Sequence, residues 1–398
     1  MRTCRILALL LVVLTLIPLL FGCGVADDPG ATTTPNEETE PVETDPIGTE
    51  PPETTVEATE PAPPVFREYT ALETNTYLKK LGRSRLYRGA IVADWSGSGI
   101  EFEYEGSGDL EVVIERDAAK NVSMLAEVDG TSKVFSVDEN GSKTYRIASD
   151  LPEGVHHVTI RRRTMVEDGA VGLLAQFKAI RLCGKFLQKP ADKRYLVAFV
   201  GDSITCGVGL ANTNGLATYA VDFCTREKFD YDICSVSGIG VQHSTSKHNG
   251  TENTMTKYYP FFNYYRSETL RYMPERKADL VVVNLNTNDH NTGATETQYK
   301  TCLKTLLSEI REAHGEDVNI VWVVGMMISK NANVNKWLND VFTELGGESA
   351  GLYRLEVETN TSGEHGHPDA SSHAAVSQAL SQFIRDKGLL EVSARIPK

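Results

Sequence analysis

Four short stretches carry the residue types that acyl transfer needs. Gly201-Asp202-Ser203-Ile204-Thr205 follows the apolar run Leu196 to Val200, and Ser237-Gly238-Ile239-Gly240 follows Ile233-Cys234-Ser235-Val236. Asn286-Thr287-Asn288-Asp289-His290 follows Val281 to Leu285, and Glu364-His365-Gly366-His367-Pro368 precedes the last amphipathic segment. Splitting an ester through a covalent intermediate takes a hydroxyl nucleophile, an imidazole to take its proton, and donors for the oxyanion. In an open α/β sheet, ligands collect at the carboxyl ends of the strands, so a serine turned out there is a candidate nucleophile. A glycine lets a backbone N–H come close to substrate because no Cβ intervenes, and an asparagine amide adds a donor without charge. Alone, Asp-Ser in a turn is more often a helix cap or an Asx-turn. Asp202 reads as such a turn-former; the joint occurrence of the four stretches carries the weight.

The elements that must position them are strands and helices in alternation. From Lys193 onward, strand-like runs at Tyr195–Val200, Tyr231–Val236, Ala278–Leu285 and Asn319–Val324 are separated by helical segments. Leu303, Leu306, Leu307 and Ile310 fall at i, i+3, i+4, i+7. Val376, Ala379, Leu380, Phe383 and Ile384 do likewise, with one more at i+8; both patterns are amphipathic helices. This alternation implies a doubly wound parallel sheet over residues 189–398.

The preceding piece, 71–188, has a different period. Ile100-Glu101-Phe102-Glu103-Tyr104-Glu105 alternates strictly, and Leu110, Val112 and Ile114 continue it. Further runs lie at Lys133–Val137, Thr144–Ile147, His156–Arg162 and Leu173–Leu182. Gly106-Ser107-Gly108, Asp129-Gly130 and Asn140-Gly141 read as turns between them. Short strands at this spacing fit an all-β sandwich of the jelly-roll kind. Arg161-Arg162-Arg163 reads as a solvated strand face, and Trp95 as core or edge packing before a sugar platform.

The 398-residue chain opens with Arg2 and Arg5 ahead of an apolar core, Ile6 to Phe21, which is the pattern of a secretory signal over residues 1–23. Leu20-Phe21-Gly22-Cys23 resembles a bacterial lipoprotein box, so Cys23 is the expected lipidation site and the chain is expected to be tethered to the outer face of a bacterial membrane. Residues 24–70 read as a disordered Thr/Glu/Pro linker, too poor in large apolar side chains to offset chain entropy. The formal charge of −14 splits as +2 for residues 1–23, −11 for 24–65 and −5 for the remainder. No basic field points to nucleic acid. Cys183, Cys206, Cys224, Cys234 and Cys302 show no zinc spacing and read as free thiols, with a single bridge left open.

The four stretches resemble, in order, the blocks of the SGNH, or GDSL-type, hydrolases. A jelly roll ahead of them, with the Trp95-Ser96-Gly97-Ser98 turn, resembles carbohydrate esterase family 2, over roughly Leu86 to Leu390. The resemblance implies Ser203 as nucleophile, an oxyanion hole from the Ser203 and Gly238 N–H groups and the Asn288 side chain, and His367 as general base and acid. Glu364 stands where the family usually has Asp. Either its carboxylate orients His367, or it points away and a backbone carbonyl holds the ring, as in some members. Asn286 replaces a family glycine and becomes a candidate substrate contact, with His290 and Trp337; helix packing is the competing reading of Trp337. Three His with Glu364 and Asp369 lack a metal-binding spacing, and serine chemistry needs no ion, so neither metal nor cofactor is expected.

The function implied is a carbohydrate O-acetyl esterase acting on plant polysaccharides or oligosaccharides such as xylan or glucomannan. The partners expected are acetylated substrate and membrane, in a monomeric protein. Two rivals stand beside it: an esterase for the bacterium's own cell-wall glycans, and a surface carbohydrate-binding lipoprotein with an inactive hydrolase domain.

Overall fold

A computed structural model describes residues 65–117, 121–164, 174–245, 247–248, 251–262 and 271–392. The signal, Cys23 and the linker up to residue 64 lie outside the described residues. Residues 66–70, read above as the end of the linker, instead form a strand (Phe66–Thr70) paired antiparallel with Leu174–Phe186.

The first piece is a nine-stranded antiparallel sheet. Ile100, Phe102 and Tyr104 point into its core, as alternation requires, with Leu110, Val112, Ile114 and Val158. Two strands are longer than the sequence pattern predicts. Gly106-Ser107-Gly108 is not a turn: one strand, Gly99–Asp117, runs through it with shifts of register. Thr144–Ile147 and His156–Arg162 are likewise parts of one strand, Gly141–Arg162. Asp129-Gly130 is a tight hairpin, both residues having positive φ. Arg162 also departs from the solvated reading. It is fully buried, with Nη1 donating to the Asp94 carbonyl and Nε to that of Thr164.

The second piece is a five-stranded parallel sheet built from β1 (Leu196–Gly201), β2 (Asp230–Ser235), β3 (Leu280–Asn284), β4 (Asn319–Met326) and β5 (Leu352–Thr359). Their order is β2-β1-β3-β4-β5. The apolar runs mark the first four; β5 escapes that pattern because it is an edge strand in which Arg354, Glu356 and Glu358 interrupt the apolar residues. Side chains alternate across β1. Val197 and Phe199 pack under helices α1 (Tyr219–Glu227) and α5 (Ala370–Lys387), while Ala198 and Val200 pack under α3 (Glu296–His314) and α4 (Asn333–Glu344). A short helix, α2 (Thr287–Thr292), caps the end of β3.

Trp95 joins the two pieces. Its ring is fully buried in the core of the second, and its indole N–H donates to the Phe262 carbonyl at 2.7 Å. Arg83 lies beside it, also buried, with its guanidinium 3.6 Å above the Tyr272 ring.

Candidate active site

Strand register brings three of the loops together. Gly201 at the end of β1 pairs with Ser235 of β2 on one side and Asn284 of β3 on the other. The segments carrying Ser203, Gly238 and Asn288 therefore leave the sheet at one level. Ser203 sits in a tight turn: Asp202 Oδ1 accepts from the Ile204 N–H at 3.0 Å, and the Ser203 carbonyl accepts from Val208 N–H at 3.0 Å. The sequence reading of Asp202 as turn-former matches this geometry. Burial raises the Asp202 carboxyl to about 7, the Ile204 N–H opposes the rise, and the nearby Asp289 charge adds to it.

The fourth loop comes from the segment between β5 and α5. Ser203 Oγ lies 2.9 Å from His367 Nε2, and His367 Nδ1 lies 3.1 Å from the His365 carbonyl oxygen. Two backbone bonds fix this loop: Glu364 N–H to Gly209 O at 3.1 Å and Gly363 N–H to His367 O at 2.8 Å. Gly209 permits the contact, because a Cβ there would lie 2.6 Å from His367 Cβ. Burial pushes the His367 imidazole below its ordinary value; the His365 carbonyl works the other way, and the His365 ring adds to the lowering. A neutral His367 donating from Nδ1 presents a lone pair at Nε2 to the serine hydroxyl.

Glu364 does not take the orienting place expected for it. Its side chain is exposed and makes no hydrogen bond among the described residues, so the carboxylate does not orient the imidazole. The carbonyl of His365 stands in that place.

The three donors expected to bind the oxyanion lie on these loops. The N–H groups of Ser203 and Gly238 have no acceptor among the described residues. Gly238 adopts φ +79°, which turns its loop in a conformation suited to glycine. Asn288 is buried on the first turn of α2, with Nδ2 donating one hydrogen to the Ile239 carbonyl at 2.8 Å and no acceptor for the second among the described residues.

Of the three candidate substrate contacts, Asn286 and Trp337 are taken up by neighbouring side chains. Asn286 is buried, its Nδ2 donating to Asn335 Oδ1 at 2.9 Å and its Oδ1 accepting from the Tyr299 hydroxyl at 2.6 Å. Its amide is thus held inside the protein by α3 and α4. Trp337 is half-buried on α4, its ring packed on Tyr299 at 5.8 Å, as the helix-packing reading expects. The His290 side chain is exposed on α2 and has no hydrogen-bond partner among the described residues. His373, in the first turn of α5, is buried, and its Nδ1 accepts the Tyr219 N–H at 3.1 Å. Sequence reasoning missed the role of Asp289, whose carboxylate accepts from the N–H groups of residues 241–243. Among the described residues no three His, Cys, Asp or Glu side chains gather as a metal site, and the five cysteines are free thiols.

Residues 199–386 match the GDSL-like Lipase/Acylhydrolase family, and residues 81–190 match the Carbohydrate esterase 2 N-terminal family. The Cellulase/esterase CelE of Acetivibrio thermocellus is 28% identical over 319 residues, 74% of this chain; the chain spans 37% of the length of that relative. A family two carbohydrate esterase from Clostridium thermocellum, solved with cellohexaose, is 27% identical with a TM-score of 0.67, over 79% of this chain and 100% of its own. The acetyl xylan esterase Est2A of Butyrivibrio proteoclasticus, 20% identical, shares the fold with a TM-score of 0.70, over 82% of this chain and 100% of its own.

Proposed function

We propose that this chain, whose two domains match the GDSL-like Lipase/Acylhydrolase and Carbohydrate esterase 2 N-terminal families, removes acetyl groups from plant polysaccharides or their oligosaccharides through an acetyl-enzyme on Ser203. The observation that carries this reading is the 2.9 Å contact between Ser203 Oγ and His367 Nε2. Nε2 takes the hydroxyl proton as Oγ attacks the acetyl carbonyl carbon. The negative charge on the carbonyl oxygen falls to the N–H groups of Ser203 and Gly238 and to Asn288 Nδ2. Collapse breaks the bond to the sugar oxygen, which leaves with the proton from His367. Water, deprotonated by the same imidazole, then attacks the acetyl carbon, and acetate departs as Oγ regains its proton. The family two carbohydrate esterase solved with cellohexaose supports a plant glycan as the acetylated chain. A panel of acetylated xylan, glucomannan and peptidoglycan, read by acetate release with positional NMR, tests it; acetate from peptidoglycan alone would refute the plant-glycan assignment.

The Cys23 segment supports placing the enzyme on the cell surface. Acylation of Cys23 would anchor it, and the acidic stretch 24–65 would let the catalytic body range outward. Fractionation of cells carrying Cys23→Ala tests this: release of the variant into the medium is expected, and retention at wild-type level would contradict it.

A further inference from the structure

Asp289 neighbours the oxyanion donor Asn288 and is fully buried, yet it has no place in the proton transfers above. Its carboxylate faces backbone. Oδ2 accepts the Val241 N–H at 2.8 Å, and Oδ1 accepts those of Gln242 at 2.8 Å and His243 at 2.9 Å. Three successive N–H groups ordinarily form a concavity that takes a free anion; here the protein fills it with its own side chain. The gripped residues continue directly from Gly238-Ile239-Gly240, and Ile239 is held from the same helix turn by Asn288. The start of that helix is itself fixed, since Asn286 is bonded on both sides to Tyr299 and Asn335.

We infer that Asp289 is a positioning residue for the oxyanion hole: it clamps the 241–243 backbone so that the Gly238 N–H stands at the height of Ser203. The inference rests on the esterase reading, because it gives Gly238 an oxyanion to bind. A donor shifted from its place loses most of its effect on a charge that develops only in the transition state, while ground-state binding of substrate is little changed. The clamp needs acceptors at both carboxylate oxygens. An amide offers one, and its NH2 group would then confront an N–H.

The test is Asp289→Asn, assayed with 4-nitrophenyl acetate and with a phenylboronic acid whose adduct with Ser203 sets an oxygen among the oxyanion donors. We expect kcat to fall about 10- to 100-fold with KM nearly unchanged, below the loss of about 100- to 1,000-fold typical of deleting a donor outright. The boronate inhibition constant should weaken in parallel with kcat/KM. Simple loss of folded enzyme would lower kcat but leave that constant unaltered, and a boronate affinity equal to wild type would overturn the inference. Hydrogen exchange of the wild-type protein needs no variant to fold: the amides of residues 241–243 should be protected like those of β3, and exchange at free-loop rates would equally overturn it. A wild type inert toward every ester would instead defeat the esterase reading.

Discussion

His367 Nδ1 lies 3.1 Å from the carbonyl oxygen of His365, two residues earlier in the same loop. His365 reaches this pose at φ +56°, a left-handed conformation that costs energy for a residue with a Cβ. A peptide dipole thus holds the ring where a carboxylate would add full charge.

Glu364 is accordingly dispensable for turnover. Glu364→Gln should keep kcat within about twofold of wild type on 4-nitrophenyl acetate, whereas His367→Ala should lose about a thousandfold or more. Steady-state kinetics of the two variants side by side check this.

The pH dependence follows from the same contact. His367 must be neutral to accept the serine proton, and burial lowers its pKa from 6.5. Activity should therefore hold as pH falls through 6.5 and decline only below it. A kcat/KM profile whose acid limb has an apparent pKa above 6.5 would contradict the assignment of His367 as base.

Asn286→Ala should cost stability without weakening substrate binding. It strands the Tyr299 hydroxyl and the Asn335 amide, both buried, at about 1–3 kcal/mol for each unsatisfied group. Urea unfolding should show the loss. A KM raised several-fold on acetylated oligosaccharide, with stability unchanged, would restore Asn286 as a sugar contact.

His373 makes stability sensitive to acid. Its burial lowers the pKa from 6.5 to about 4, so the unfolded chain binds this proton more readily than the folded one. Stability is full above 6.5 and drains as pH falls from 6.5 toward about 4. His373→Asn keeps an acceptor for the Tyr219 N–H but cannot titrate there. Its unfolding free energy should decline less steeply over this range, by up to about 1.4 kcal/mol per pH unit. An unchanged slope would count against this source of acid sensitivity.

What was legible in the sequence followed from period and punctuation. The runs of β1 to β4 are apolar because the sheet is covered on both faces, and the turns after them carry Ser203, Gly238 and Asn288 in plain view. Long-range geometry was not legible. Gly106-Ser107-Gly108 has the composition of a turn, but the paired strands around it continue the sheet. Glu364 sits at the right spacing for an orienting acid, yet the left-handed His365 turns a carbonyl to the ring instead. Asn286 looked like a substrate contact because nothing local reveals Tyr299 and Asn335 as its partners. Asp289 was visible only as part of a motif; the backbone it grips lies 46 to 48 residues away.

The most direct trial of the mechanism is acetate release from acetylated xylan by wild type and Ser203→Ala, with mass spectrometry of quenched protein. Wild type should liberate acetate and carry one acetyl group on Ser203 during turnover; the variant should lose at least about a thousandfold in rate and carry none. Equal rates in the two proteins, or an acetyl group trapped on another residue, would contradict Ser203 as the nucleophile.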